Sequence, residues 1–167
     1  MFLSLQKANI RKKIIGSFLF IMIISVLIII TFSGLRTRAK FLSEQKSKAS
    51  IVTLNLAIAC GDPMVVGEWD RISQILSGAK KIDLDLEYAI IIGNDGKCVA
   101  STNTDLKDKY LNQSEFEKKA LEVKELTIIK NPDISNIFEV RSLVIGADQK
   151  MGILRMGYTT KYISASI

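Results

Sequence analysis

The sequence predicts an α+β chain: an N-terminal transmembrane helix continuing into a stalk helix, then a five-stranded antiparallel sheet flanked by helices. Three observations lead there. One long uncharged apolar run stands near the N-terminus, helical periodicity without proline follows it, and the second half alternates short β-rich runs with turn residues.

The apolar run spans residues 14–32, IIGSFLFIMIISVLIIITF, and uncharged Ser33, Gly34 and Leu35 extend it. Its 19 residues approach the ~30 Å hydrocarbon thickness of a bilayer at 1.5 Å per residue. In lipid every backbone amide must be paired within the segment, so the run is helical despite its β-branched isoleucines. A cleaved signal peptide has a shorter apolar core and a small-residue cleavage site, and Thr31-Phe32-Ser33-Gly34-Leu35 supplies no such site. A pilin-like helix is excluded by the lack of any acid in 14–32. The predicted organisation is therefore a cytoplasmic tail at 1–13, a transmembrane helix at 14–35, a stalk helix at 36–60 and a folded domain at 61–163, with an exit helix beginning over 159–167.

Charge supports that division. The formal net charge is +6, but residues 36–48 and the N-terminal 35 residues each carry +4, whereas 49–167 carries 14 basic and 16 acidic residues, or −2. The basic residues flank the apolar run instead of coating the domain, which excludes nucleic acid as a partner and leaves the lipid bilayer. Arg11-Lys12-Lys13 abuts the run more tightly than Arg36, Arg38 and Lys40, so the N-terminus is expected inside and residues 36–167 outside the inner membrane.

Along the stalk, Leu35, Ala39, Leu42, Ala49, Leu56 and Cys60 recur near three- and four-residue spacing, a seam for a homodimeric coiled coil or for packing on the chain's own domain. Crosslinking is expected at Ala39 or Leu42 if it joins two copies. Gly61-Asp62-Pro63 reads as a stop, and a second helix over 63–80 is expected to bury Val66, Trp69, Ile72, Ile75, Leu76 and Ala79. Tyr88–Ile92 is apolar on both faces, as a central strand covered on both sides must be. Asn94-Asp95-Gly96 then makes a tight hairpin into a strand over 97–101. A polar loop at 102–112 follows, then a helix at 114–123 with Ser114 and Glu117 as a capping box, and strands at 126–130, 137–145 and 151–158.

The passage DLDLEYAIIIGNDGKCVASTNTDLKDKYLN at 83–112, with its strand, Asn-Asp-Gly turn, strand and Ser-Thr loop, resembles the extracytoplasmic PAS-like, or Cache, sensor domains of bacterial receptors. So does LVIGADQKMGILRMGYTTKYI at 143–163, a closing hairpin of G-x-L-R-x-G form, and so does the order membrane helix, stalk, domain. The resemblance covers about 36–163. It implies an input domain of a histidine kinase, a chemoreceptor or a cyclic-dinucleotide enzyme, in which a ligand on one sheet face shifts the flanking helices. The sequence has no second membrane helix or output domain, so a cytoplasmic signalling domain or chain is expected elsewhere. The Arg-aromatic-Tyr motif of amino-acid-binding members is missing, which argues against an amino-acid ligand.

Catalysis is not expected. The sequence contains no histidine, which removes the usual Ser-His and Cys-His pairs, and no nucleophile has a base nearby in sequence. No cofactor and no metal are expected: Asp83, Asp85 and Glu87 lack the glycine and spacing of a calcium loop. Cys60 and Cys98 are expected as buried thiols, with a disulfide as the alternative. The polar residues of interest are Arg141 and Arg155, in otherwise apolar strands. A three-residue loop at 147–149 sets them face to face, a two-residue loop at 148–149 on opposite faces. Facing arginines need an anion or acid between them, and Glu139 or solvent is the alternative to a ligand. The stalk and second helix cover one face of the sheet, leaving 101–123 to close the other over a pocket. The candidate lining is Tyr88, Ser101, Thr102, Phe116, Arg141 and Arg155, with a small, anionic molecule as ligand. Arg141→Ala and Arg155→Ala are expected to weaken its binding without unfolding the domain. The competing function is a single-span structural subunit that holds a protein partner and no small ligand.

Overall fold

A computed structural model describes residues 2–111 and 114–160, with side chains at 15–29, 40–111 and 114–160. The exit helix expected from 159 lies outside the described residues from 161 onward, while Thr159 itself ends the last strand. The chain divides into two compact units, Met1–Phe41 and Leu42–Ile167. Helix α1, Phe2–Val66, contributes to both, so residues 42–60 of the expected stalk belong to the second unit.

In the first unit, Ile15–Ile29 is an apolar helical stretch whose described side chains are all exposed. It is the described centre of the membrane segment expected at 14–35. The described part of that stretch is 15 residues long; among the described residues it is Lys40–Val66, with mean hydropathy 1.6, that is long and apolar enough to cross a membrane. Its packing assigns it elsewhere: Ala49, Thr53, Ala57, Cys60 and Met64, spaced by three and four residues, are buried in the second unit. It is a core helix.

The second unit is a five-stranded antiparallel sheet in the order β2-β1-β5-β4-β3. The strands are β1 Leu86–Gly93, β2 Cys98–Ser101, β3 Thr127–Lys130, β4 Ile137–Gly146 and β5 Gln149–Thr159. Helix α2, Trp69–Ile82, lies with the C-terminal part of α1 on one face, and α3, Glu115–Leu121, precedes β3. The capping box at Ser114 and Glu117 forms as expected: the Ser114 hydroxyl accepts from the Glu117 amide at 3.1 Å, and Glu117 accepts in return from the Ser114 amide.

Two expectations about the helices fail. Gly61-Asp62-Pro63 does not end α1, which runs through Pro63 to Val66. The stop is Gly67, at φ 75°, where the Glu68 amide donates back to the Pro63 carbonyl at 2.9 Å. That six-residue closure is the Schellman arrangement, for which glycine suits the left-handed position. Gly61 serves packing instead. A Cβ there would fall on the carbonyl oxygen of Ile145, and one on Gly146 would lie 2.6 Å from the Gly61 carbonyl oxygen. Helix α2 consequently starts at Trp69, later than expected. It buries Ile72 and Leu76, with Ile75 and Ala79 packed at the edge, but Val66 and Trp69 are exposed, Trp69 by 40%. Coming directly after the Gly67 turn, Trp69 borders a cleft of about 360 Å³ with Met64, Val99 and Met151 instead of anchoring the core.

The closing hairpin has neither expected loop, 147–149 nor 148–149: its turn is 147–148, and only the register beyond a bulge agrees with the three-residue alternative. Ala147 and Asp148, both at positive φ, make a two-residue turn, with Gly146 paired to Gln149 and Ile145 to Lys150. A bulge follows, after which Val144 pairs with Gly152. The extra residue reverses the facing set by the turn and brings Arg141 opposite Arg155.

Candidate functional site

Alternation along the strands gives the sheet two different faces. Leu86, Ala89, Ile91, Phe138, Val140, Val144, Leu154, Met156 and Tyr158 join α1 and α2 in one large apolar core. On the opposite face, Ile90, Ile92 and Cys98 pack with Tyr88, Leu106, Leu111 and Leu121 in a smaller one. Beside this smaller core lies a row of paired residues, Ser101, Ile90, Arg155, Arg141 and Thr127, one from each strand. The next row holds Tyr88, Gly157, Glu139 and Ile129.

Glu139 is the centre of this second face and is fully buried. Arg155 clamps it bidentately, Nε donating to Oε1 at 2.9 Å and Nη2 to Oε2 at 2.8 Å. Arg141 Nε donates to Oε1, and the Tyr88 hydroxyl donates to Oε2 at 2.6 Å. Asn131 Nδ2 donates in turn to the Tyr88 hydroxyl at 3.2 Å, while its own Oδ1 accepts from the amides of Asp133 and Ile134. Gly157 makes the Tyr88 contact possible. It stands between Tyr88 and Glu139 in the sheet, and a Cβ there would lie 2.3 Å from a carbon of the tyrosine ring. From α3, Phe116 places its ring 4.2 Å from the Arg141 guanidinium carbon and 5.5 Å from that of Arg155. That is cation–π range. Arg141 Nη2 points to the Phe116 carbonyl at 3.4 Å, but Arg141 Nη1 is buried with no hydrogen-bond partner.

The electrostatics follow from burial and pairing. Burial alone would raise the Glu139 pKa, yet the hydrogen bonds and charge of Arg155, then Tyr88 and Arg141, hold it below the ordinary carboxylate value. Burial would lower Arg155, and Glu139 outweighs it, so the guanidinium stays charged. Tyr88 is pushed well up, first by burial and then by the Glu139 charge, and it remains a donor. Two guanidinium cations thus share one buried anion, and the Glu117 carboxylate of α3 adds a further negative charge near Arg155.

Of the six residues expected to line the site, Tyr88, Phe116, Arg141 and Arg155 meet around Glu139. Ser101 stands at the end of the arginine row, one strand beyond Ile90, and its hydroxyl accepts from the Asn103 amide. Thr102 lies at the edge, its hydroxyl accepting from the Ala89 amide at 3.0 Å. Residues 102–111 do fold over this side: Thr104–Leu106 is a single 3₁₀ turn, and Cys98 exchanges backbone bonds with Asp108 and Lys109. Asn131 is the participant that sequence reading missed, and Glu139 was visible only as one alternative partner. Its signal is position, two residues before Arg141 and therefore on the same strand face. The cysteines are free and lie in different cores, Cys60 in the large one and Cys98 in the small one, with the sheet between them. Burial pushes both thiols up to about 11. Asp83 pairs with Lys48 at 3.3 Å and accepts from the Asp85 amide, and the described residues hold no group of three metal-ligating side chains.

No protein-family model matches the chain, and no curated protein sequence does. Solved structures do. The ligand-binding domain of the Campylobacter jejuni chemoreceptor Tlp3, in complex with 4-methylisoleucine, superimposes with a TM-score of 0.63 at 11% identity, over 78% of this chain and 57% of that one. The sensor domain of the V. cholerae histidine kinase DctB gives 0.60 at 11% identity, over 78% and 55%. The chain has the fold of a PAS-like sensor domain. The E. coli DcuS sensor domain gives 0.55 at 15% identity, over 71% of this chain and 90% of that one. The chain thus spans little more than half the length of the Tlp3 and DctB domains, at 57% and 55%, and nearly all of the DcuS domain.

Proposed function

We propose that this chain is the membrane-anchored, extracytoplasmic input module of a bacterial signal-transduction receptor, sensing a small molecule and catalysing no reaction. The observation that carries this reading is the buried ionic cluster around Glu139, on the sheet face that, among the described residues, α3 and the 102–111 segment cover. Buried charges are costly, and a sensor fold that retains three of them, two with no exposure at all, beside a thin cover has polar groups ready for a ligand. The exposed apolar helix Ile15–Ile29 supports anchoring in the inner membrane, with residues 1–13 inside and the sheet domain outside. The signal passes to a cytoplasmic signalling domain or chain. Ligands named for the Tlp3 domain include isoleucine and L-valine, so molecules of that size are the starting panel. The test is thermal shift of the full chain in nanodiscs against amino acids and small carboxylates. At least one is expected to stabilise the domain, and a flat response across the panel overturns the reading.

A protein partner is favoured by a separate observation. The seam expected along the stalk turns inward at Ala49 and Cys60, and Leu42 is half-buried beside Ile128 and Phe138. Ala39 lies outside the described side chains. The exposed apolar stripe is instead Ile51, Leu54, Ile58 and Val65, with Ile58 66% exposed, at the spacing of a helix–helix seam. We assign it to homodimerisation. Cysteines at Ile51 or Leu54 should crosslink two copies in membranes while one at Asn55 crosslinks less, the buried native thiols staying silent. Equal yields at all three positions would remove the seam.

A further inference from the structure

We propose that the cleft beside Trp69 is a small-molecule site in its own right, separate from the Glu139 face, and that it takes a small aromatic carboxylate. This goes beyond the sensing reading, because no residue lining the cleft belongs to the Glu139 cluster.

The cleft is built where several elements end. Helix α1 brings Met64, α2 starts with Trp69, the β1–β2 hairpin brings Gly93 and Val99, and Met151 comes from the start of β5. Together they line about 360 Å³, within the ~300–1,000 Å³ of small-ligand pockets. An outer cleft of about 690 Å³ runs along Gly67 and Arg71. Trp69 and Lys107 line both spaces, so they stand at the junction. The Gly67 stop puts the indole there, since it starts α2 at a point that leaves Trp69 40% exposed. A large ring left at the mouth of an apolar space is a stacking surface for another flat ring. Met64 and Met151 add soft thioethers, which also favour aromatic neighbours.

The polar groups select the rest of the ligand. Lys97 is committed to Asp108 at 2.8 Å, and Asp95 Oδ1 accepts from the Lys97 amide at 3.0 Å. In the outer cleft Arg71 is paired with Glu68 at 3.0 Å, and Asp70 lines that outer space only. Lys97 and Lys107 balance Asp95 and Asp108, so net charge does not choose the ligand. Uncommitted donors do. The Lys107 ammonium feels the Asp108 charge yet makes no ion pair among the described residues, and the Trp69 indole N–H has no hydrogen-bond partner among them. A carboxylate at the junction accepts from these donors while its ring enters the inner space. A cationic ligand would meet the Lys107 charge at the same place.

Trp69 is the chain's only tryptophan, so its emission reports on this cleft alone. The test follows that emission in the full chain, in detergent micelles at pH 7.5, during titration with sodium benzoate, sodium propionate and choline chloride. Benzoate should change the emission saturably, and propionate, which has no ring to stack, should bind more weakly. Lys107 is exposed, so Lys107→Gln should fold, and it should weaken benzoate about 5-fold, the worth of an exposed charge pair. A silent Trp69 throughout the benzoate titration overturns the site. Choline bound more tightly than benzoate, or benzoate bound equally by Lys107→Gln, overturns the carboxylate assignment. Amino acids that raise the unfolding temperature while Trp69 ignores benzoate overturn this inference and leave the sensing reading standing.

Discussion

The two faces of one sheet are built on different physics. The face under α1 and α2 is continuous hydrocarbon, and its polar side chains are few and small. There Thr53 gives its hydroxyl proton to the Ala49 carbonyl, and Tyr158 stacks on Phe138 with ring centroids 5.6 Å apart. The opposite face divides between a small apolar cluster and a network of five polar side chains, Tyr88, Asn131, Glu139, Arg141 and Arg155, centred on one carboxylate. The two tyrosines show the contrast. Burial, with a smaller contribution from the Asp83 charge, pushes Tyr158 up to about 12 while its hydroxyl bonds to the neutral Thr53, whereas the Tyr88 hydroxyl is bonded directly to an ionised carboxylate. Apolar burial stabilises wherever it occurs and tolerates small shifts. A buried ion cluster is stable only while every partner is present, so the second face is the one whose stability hangs on single side chains.

That contrast is broken most severely at Glu139. Glu139→Ala leaves two guanidinium groups buried without their anion, and a loss of about 3–5 kcal/mol in denaturant unfolding is expected. The same reasoning revises the arginine variants: Arg155→Ala strands Glu139 instead of merely weakening a ligand, so it is expected to destabilise the fold as well. Acid should reproduce the effect. Because the folded carboxylate titrates below 4.5, its contribution is complete above that pH and disappears as pH falls through the lowered folded value. Unfolding midpoints measured from pH 7 down to pH 3 should therefore fall more steeply for the wild type than for a triple variant replacing Glu139, Arg141 and Arg155 by leucine or methionine. A parallel decline would remove the cluster's share. On the opposite face, Leu154→Ala should cost roughly 2–5 kcal/mol by cavity formation, with little dependence on pH. The smallest effect is expected at Ser114→Ala, which removes the α3 cap at a cost of about 1 kcal/mol and loosens the cover of the ionic face. Hydrogen exchange in 115–121 should quicken there while β1 stays protected.

The strands and α3 were legible because their signals are local: alternation in Tyr88–Ile92, the turn residues Asn94-Asp95-Gly96, and the serine and glutamate of a capping box. The end of α1 was not, because Gly61 and Pro63 are local breakers whose use here is decided by tertiary packing. Proline at 63 removes one amide bond near a helix end that other contacts hold, and glycine at 61 admits a neighbouring backbone. Trp69 was misplaced for a related reason, since a shift of the helix start moves its first residues out of the periodic stripe. In the site, the arginines stood out as charges in apolar strands, but their facing depended on a bulge that no residue type announces. Asn131 acts through a turn after β3, and nothing in its sequence neighbourhood connects it to Tyr88, 43 positions earlier.

The glycine contact between α1 and the end of β4 also has a mechanical side. Where backbone rests on backbone there is no side chain to compress or rotate, so Gly61 and Gly146 form a fulcrum. From Gly61 back to Gln45 the helix extends ~24 Å at 1.5 Å per residue. Gln45 is itself bonded to the carbonyl of Thr159 at 3.1 Å, and Thr159 closes the strand that carries Arg155. A displacement of β5 reaches α1 at the far end of that lever. Each degree of tilt about the glycines moves the Gln45 end by about 0.4 Å at this lever length. An event at the arginines thus leaves the domain as an angle.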